Sequence, residues 1–454
     1  MRRTLLALVL ICTSLAAEAK NPQRDPAMIA ARSKFFGIEN VDQRTGQVDQ
    51  SRVIISWITN ASFAVAASGH VMLLDTYVTR LEVMPGRTPF VIQDLVDLQP
   101  EALFIGHGHF DHADNAAYIA QKTGAIIYAS PETCDNMAID ATNNFNNHYT
   151  GQVSTVTCVP MTSRGSLPGA EMVSIRQFEP DIRIEAFKHL HSTNTGVTDP
   201  DAVPIASPSK GVCQPTPTQG NTFPCNLQDP RDPLLFPPGT LLEPTFLNIA
   251  TSRQGAGGPI AIFYVFTVRG PNHFRFVWHN STGDIVDSCA LPNNQPGTNP
   301  PVPFEPPQQA NGCFLPTTTV NGKTVGANLA SIMDRLRPVD VQIGSVVSLG
   351  FNQNGERDVI SYIAHVKPKV FIPNHVTAVA AEGSSLEWRA GYIAALRAAS
   401  SSTNSQLGAS YSFIPEAEQP EALWLVDPND YLRPLVFIPS DARWRKAAGD
   451  RDDD

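Results

Sequence analysis

The stretch that decides the fold is Ile105-Gly106-His107-Gly108-His109-Phe110-Asp111-His112. It puts four side chains capable of holding a metal within six positions, directly after the apolar run Ala102 to Ile105 and before a helix-like segment, Asp114 to Lys122. The whole chain has only eleven histidines, so three of them beside an aspartate in one short run argue against ordinary surface or core use. Zinc takes neutral imidazole nitrogens and carboxylate oxygens in near-tetrahedral sets, and a hydrolytic site leaves one position open for water. His107 and His109, two apart in an extended turn, can converge on one ion, and Asp111 and His112 can face a second. Such an ion lowers the pKa of its water from 15.7 to about 7. The end of a strand is also where α/β folds place their sites.

Working outward, Val53 to Ile58, Ala61 to Ala67 and Val71 to Leu74 read as a β-meander broken by Thr59-Asn60 and Ser68-Gly69. The third run ends at Asp75, a carboxylate that either orients a ligand imidazole or caps a turn. Phe90 to Leu98 is expected to be a connecting helix, and Ala102 to Ile105 a buried strand. Asp114 or Asn115 can cap the helix that follows the histidines, Gly124 fits its C-terminal stop, and Ala125 to Tyr128 returns as a strand. This alternation argues for an α/β layered domain. Downstream, Ile182 to Phe187 alternates and ends at Lys188-His189-Leu190-His191. Ile260 to Thr267 pairs with Phe274 to Trp278, which leads into His279-Asn280-Ser281-Thr282-Gly283-Asp284. A second helix and strand set follows: helix Leu329 to Leu336, strand Val339 to Ile343, helix Arg357 to His365, and strand Val370 to Ile372 before Pro373-Asn374-His375. An amphipathic helix over Glu387 to Ala399 and β-type runs at Leu423 to Val426 and Leu435 to Ile438 complete the reading.

The HxHxDH run after a strand resembles the metal-binding signature of the metallo-β-lactamase superfamily, over roughly Val53 to His375. The resemblance implies a four-layer αβ/βα sandwich, here with Pro-rich, disulfide-bracketed insertions. It implies that His107, His109 and a distant third histidine hold one ion, while Asp111, His112 and a histidine near the domain end hold the other. The third histidine is expected at His189, the residue nearer the strand end, with His191 as its competitor. The last matches His375, where a strand followed by Pro-x-His resembles the branch containing lactonate hydrolases and phospholipase-D-like members. Trp57-Ile58-Thr59-Asn60-Ala61-Ser62-Phe63 resembles that branch's opening strand pair, with Asn60 in place of its usual histidine. The family's bridging aspartate follows a strand directly. Here that position holds His279-Asn280, so Asp284 is expected to supply the carboxylate on chemical grounds, with Asn280 its rival by position. The implied cofactor is zinc, as one or two ions, with manganese and iron left open, and Asp111 is the expected catalytic ligand and proton handler.

The first nineteen residues have the form of an export signal: Arg2 and Arg3, an apolar stretch from Leu5 to Leu15, and Ala17-Glu18-Ala19 as a cleavage site. Cleavage there would remove two arginines and one glutamate and shift the net charge from −10 to −11, an acidic balance that disfavours nucleic acid as a partner. No transmembrane segment is expected after cleavage, and a periplasmic or secreted location follows. The oligomeric state is open. Residues 20–50 read as an N-terminal extension, 51–400 as the main domain with insertions near 199–258 and 289–325, and 401–454 as a C-terminal extension packed on it. Half of the 38 prolines fall in Asp199 to Pro244 and Pro292 to Pro316, too dense for regular structure. Six cysteines remain after cleavage, and nearest-neighbour bridges Cys134–Cys158, Cys213–Cys225 and Cys289–Cys313 are the simplest pairing of the fifteen that six allow. The expected function is hydrolysis of an ester, lactone, amide or phosphodiester bond in a small molecule by zinc-bound hydroxide. The alternative is a non-catalytic, metal-bound or ligand-binding envelope protein that kept the fold.

Overall fold

In the computed structural model the described residues are 25–78, 90–108, 110–113, 115–143, 155–191, 260–270, 273–283, 285, 318–346, 356–375, 424–425 and 433–444. The export signal, His109, Asp114, Asp284, Cys213, Cys225, Cys289, Cys313 and the helix expected over 387–399 lie outside them.

The strands, in chain order, are β1 Val53–Thr59, β2 Ser62–Ala67, β3 His70–Leu74, β4 Ala102–Phe104, β5 Ile126–Ala129, β6 Cys158–Pro160, β7 Val173–Ile175 and β8 Ile182–His189. They continue as β9 Ala261–Val268, β10 Arg275–His279, β11 Thr319–Val320, β12 Lys323–Thr324, β13 Val339–Ser345, β14 Pro368–Asn374, β15 Trp424–Leu425 and β16 Leu435–Phe437. Fourteen of them form two seven-stranded sheets, ordered β16-β1-β2-β3-β4-β5-β6 and β15-β14-β13-β10-β9-β8-β7, and β11 and β12 form a separate pair. The two seven-stranded sheets follow one plan. In the first, β16, β1, β2 and β3 pair antiparallel and β3, β4, β5 and β6 parallel. In the second, β7, β8, β9 and β10 pair antiparallel and β10, β13, β14 and β15 parallel. Residues that follow β3 and β10 therefore hold equivalent places in the two halves.

Period-2 alternation sorts the side chains into layers. Ile55, Val65 and Met72 of the first sheet meet Ile184, Tyr264, Phe276 and Ile343 of the second. The opposite faces go to helices: Ile54, Ala66 and Leu73 pack against Phe35, Leu95 and Ile119, and Phe263, Val265 and Val277 against Leu329, Met333 and Tyr362. The result is the four-layer αβ/βα sandwich, each fully buried Leu, Ile, Val or Phe contributing about 1.5–3 kcal/mol.

Two segments differ from expectation for local reasons. Residues 26–36, read as part of a weakly patterned extension, form a helix (Pro26–Phe36) with Pro26 at its start. Asp25 Oδ1 accepts from the N–H groups of Ala27 and Met28, at 3.0 and 3.1 Å, and Phe35 and Phe36 are fully buried. The tail of the expected second insertion is also ordered. β11 and β12 form a hairpin on Asn321-Gly322, both at positive φ as a tight turn of this kind demands. Thr324 Oγ1 then accepts from Ala327 N–H and starts the helix Val325–Arg335 ahead of the expected Leu329. The Cys134–Cys158 bridge ties the helix Pro131–Asn143 to β6. Closing that loop contributes about 2–4 kcal/mol. No helix among the described residues is long and apolar enough to cross a membrane.

Candidate metal centre

The site gathers at the strand ends. Directly after β3 the chain turns at Asp75, whose φ is +54°. This aims a fully buried carboxylate across the ends of the neighbouring strands. Asp75 Oδ1 accepts from Gly106 N–H at 3.0 Å, and Oδ2 accepts from His112 Nδ1 at 2.7 Å and from Asn280 Nδ2 at 2.7 Å. Of the two roles open to it from sequence, the structure gives Asp75 that of orienting His112. Burial pushes its carboxyl above the usual range, and His112, Asn280 and Gly106 pull it back. Thr76 N–H donates to the carbonyl of His112 at 2.9 Å, so the same turn holds the residue by its backbone as well.

These contacts fix proton positions. A carboxylate only accepts, so Nδ1 of His112 carries the proton and Nε2 the lone pair. Asn280 must likewise present its NH2 to Asp75, which turns its oxygen to His107 Nδ1 at 2.7 Å. His107 is therefore also an Nδ1–H imidazole with its lone pair on Nε2, the form that binds a metal.

His191, just past the end of β8, completes the pair. Its Nε2 lies 3.2 Å from Nε2 of His107. Two nitrogens each about 2.0–2.1 Å from one tetrahedral ion stand roughly 3.3 Å apart, so this spacing fits a shared ion. The His107 and His112 rings are 4.0 Å apart and those of His112 and His375 5.2 Å. His375, also at positive φ, donates its backbone N–H to the carbonyl of Asn60 at 3.1 Å. Asn60, the residue that departs from the resembled pattern, thus anchors the loop carrying His375. Gly106 has no Cβ for a reason: one there would stand 2.3 Å from the Asn280 side chain.

His189, the expected third histidine, is placed apart from the His107–His191 pair. It belongs to β8 proper, and alternation turns it to the helix-facing side of the sheet, with Nδ1 3.1 Å from the Tyr362 hydroxyl and its ring against Phe263. Burial pulls its pKa well below 6.5, and His279 and His191 add to the effect. His279 is a structural partner rather than a recruit to the site. Its Nδ1–H donates to the Ser281 carbonyl at 2.8 Å, Gln342 Nε2 donates to its Nε2 at 2.9 Å, and burial lowers its pKa to about 4. His107, His112, His191 and His375 are thus brought together. His109, Asp284 and the side chain of Asp111 lie outside the described residues, and among those described no three His, Cys, Asp or Glu side chains close into a complete shell.

No family model matches the chain. Curated relatives do, among them a UPF0173 metal-dependent hydrolase of Pyrobaculum arsenaticum, 33% identical over 78 residues, and one of Myxococcus xanthus, 33% identical over 82. Each match takes in 17% of this chain, and 32% and 26% of the respective relative. Over these segments the chain is similar to proteins described as metal-dependent hydrolases. His107 follows β4 directly, and His112 lies in the helix Phe110–Ala113. Among solved structures, the metallo hydrolase Igni18 of Ignicoccus hospitalis aligns with a TM-score of 0.40 at 10% identity, covering 85% of this chain and 98% of its own. This chain spans about a third of the length of the Pyrobaculum relative.

Proposed function

We propose that the protein is an exported metal-dependent hydrolase of small molecules, with zinc as its ion and His107, His109, Asp111, His112, His191 and His375 as the holding set. The observation that carries the reading is the His107–His191 pair, two imidazole nitrogens 3.2 Å apart. The tautomer of His107 and of the neighbouring His112 is set by buried acceptors. Neutral imidazoles with the proton on Nδ1 and the lone pair on Nε2, backed by a buried carboxylate, are a donor set suited to zinc. When bound, the ion supplies Lewis acidity and makes water nucleophilic near neutral pH. The chain's own part is positional. Asp75 keeps His112 in one tautomer, and the Asn60 carbonyl holds the loop of His375 in place. Asp111 is assigned to handle the proton of the attacking water. The matched segments of the two curated relatives, both described as metal-dependent hydrolases, support the same class.

The test is metal content and turnover of the purified mature protein across ester, lactone, lactam and phosphodiester substrates. Bound zinc, with turnover abolished by chelation and by Asp111→Asn, is expected. A protein that purifies and stays folded without any divalent ion would sink the proposal. Bound metal without turnover on the whole panel would favour a ligand-binding role instead.

A further inference from the structure

Asp75 follows β3 and Asn280 follows β10, so the shared plan of the two sheets gives them equivalent places. They touch, Asn280 Nδ2 donating to Asp75 Oδ2 over 2.7 Å. One half contributes a carboxylate and the other an amide, and the difference has a chemical use. An amide can donate to Asp75 with one end while accepting from His107 Nδ1 with the other, at 2.7 Å. A carboxylate at position 280 could only accept, and would set oxygen against oxygen at Asp75. Both ends of Asn280 are thus occupied, the side chain is 1% exposed, and Gly106 leaves the room it fills. Asn374 Nδ2 donates to the carbonyl of His279 at 3.0 Å and fixes the backbone just before it.

We infer that Asn280 is a positioning residue, an amide relay that joins the two halves and holds His107 in its Nδ1–H form, and that it is not a metal ligand. A buried hydrogen-bond partner of this kind tunes affinity without adding a coordination position. The ligation clause rests on the proposed metal site, and the tautomer clause does not.

The experiment reads both. In the metal-free full-length protein with 15N-labelled histidine, two-bond proton–nitrogen correlation reports which ring nitrogen carries the proton. Both His107 and His112 are expected as Nδ1–H. In Asn280→Leu, His112 keeps that form through Asp75 while His107 loses it. A wild-type His107 protonated on Nε2 overturns the inference, and that reading needs no variant to fold. Zinc titration against a competing chelator is the second readout. Asn280→Leu is expected to weaken binding by about 10–100-fold with unchanged stoichiometry, and Asn280→Asp to add no ion. An extra zinc in Asn280→Asp, or one fewer in Asn280→Leu, would show position 280 to be a ligand. If wild-type protein takes up no zinc, the proposed function fails while the tautomer result still decides this inference.

Discussion

His189 and His191 are separated by a single residue, yet one packs against Tyr362 and Phe263 and the other stands 3.2 Å from His107. Along β8, Ile182, Ile184 and Ala186 face the core between the sheets and Phe187 the helices. His189 shares the parity of Phe187, so the strand commits it to the helix side, where Tyr362 and Phe263 receive it. His191 lies beyond the strand, where pleating no longer dictates direction, and its ring stands perpendicular to that of His107. Proximity to a strand end is therefore a weaker guide to a site histidine than the side of the sheet its parity assigns.

Four substitutions sharpen or break this contrast. His191→Ala should cost the most, lowering zinc affinity by about 100-fold or more because it removes half of the closest nitrogen pair. Retention of full affinity, measured by chelator competition, would return the role to His189. Next comes Asp75→Asn, which deprives His112 Nδ1 of its carboxylate. Here about 10–100-fold weaker binding is expected in the same assay. His189→Leu should leave zinc binding within a few-fold of wild type. It should shift unfolding stability by only about 1 kcal/mol, since its Nε2 has no hydrogen-bond partner among the described residues and an apolar side chain suits Phe263. A lost metal there would contradict the division drawn above. Smallest is Tyr362→Phe, expected to cost about 0.5–1.5 kcal/mol in denaturant unfolding with no change in metal content.

The layered fold was legible because its strands are short apolar runs cut by turn residues. The meander before Asp75 and the paired strands around Gly270 fall within a residue or two of their expected bounds. The helix at 26–36 escaped notice because only Ile29, Ala31, Phe35 and Phe36 of its residues are buried, too few to set a period. The Asp25-Pro26 start was the available signal. The nearness of His107 to His112 follows from local spacing, and His375 reaches them at the end of the strand that carries it. The link from Asn280 to Asp75 does not follow from local spacing, since it joins residues 205 positions apart through two strand ends that only folding brings together. The alternation in β8 separates the two candidates by parity, His189 falling on the side of Phe187 and His191 beyond the strand.

The edge strands have a consequence for the order of events during synthesis. β15, Trp424–Leu425, and β16, Leu435–Phe437, lie at the outer edges of different sheets, the second against β1 near the beginning of the described chain. Every histidine of the proposed centre has been synthesised by residue 375, yet neither sheet can acquire its full set of strands until residues 424–437 emerge. A nascent chain therefore holds all its site histidines while both sheet edges are still bare, the condition in which unpaired strands are most open to wrong partners. Completion of the scaffold, rather than synthesis of the ligand set, times the moment at which the site can become stable.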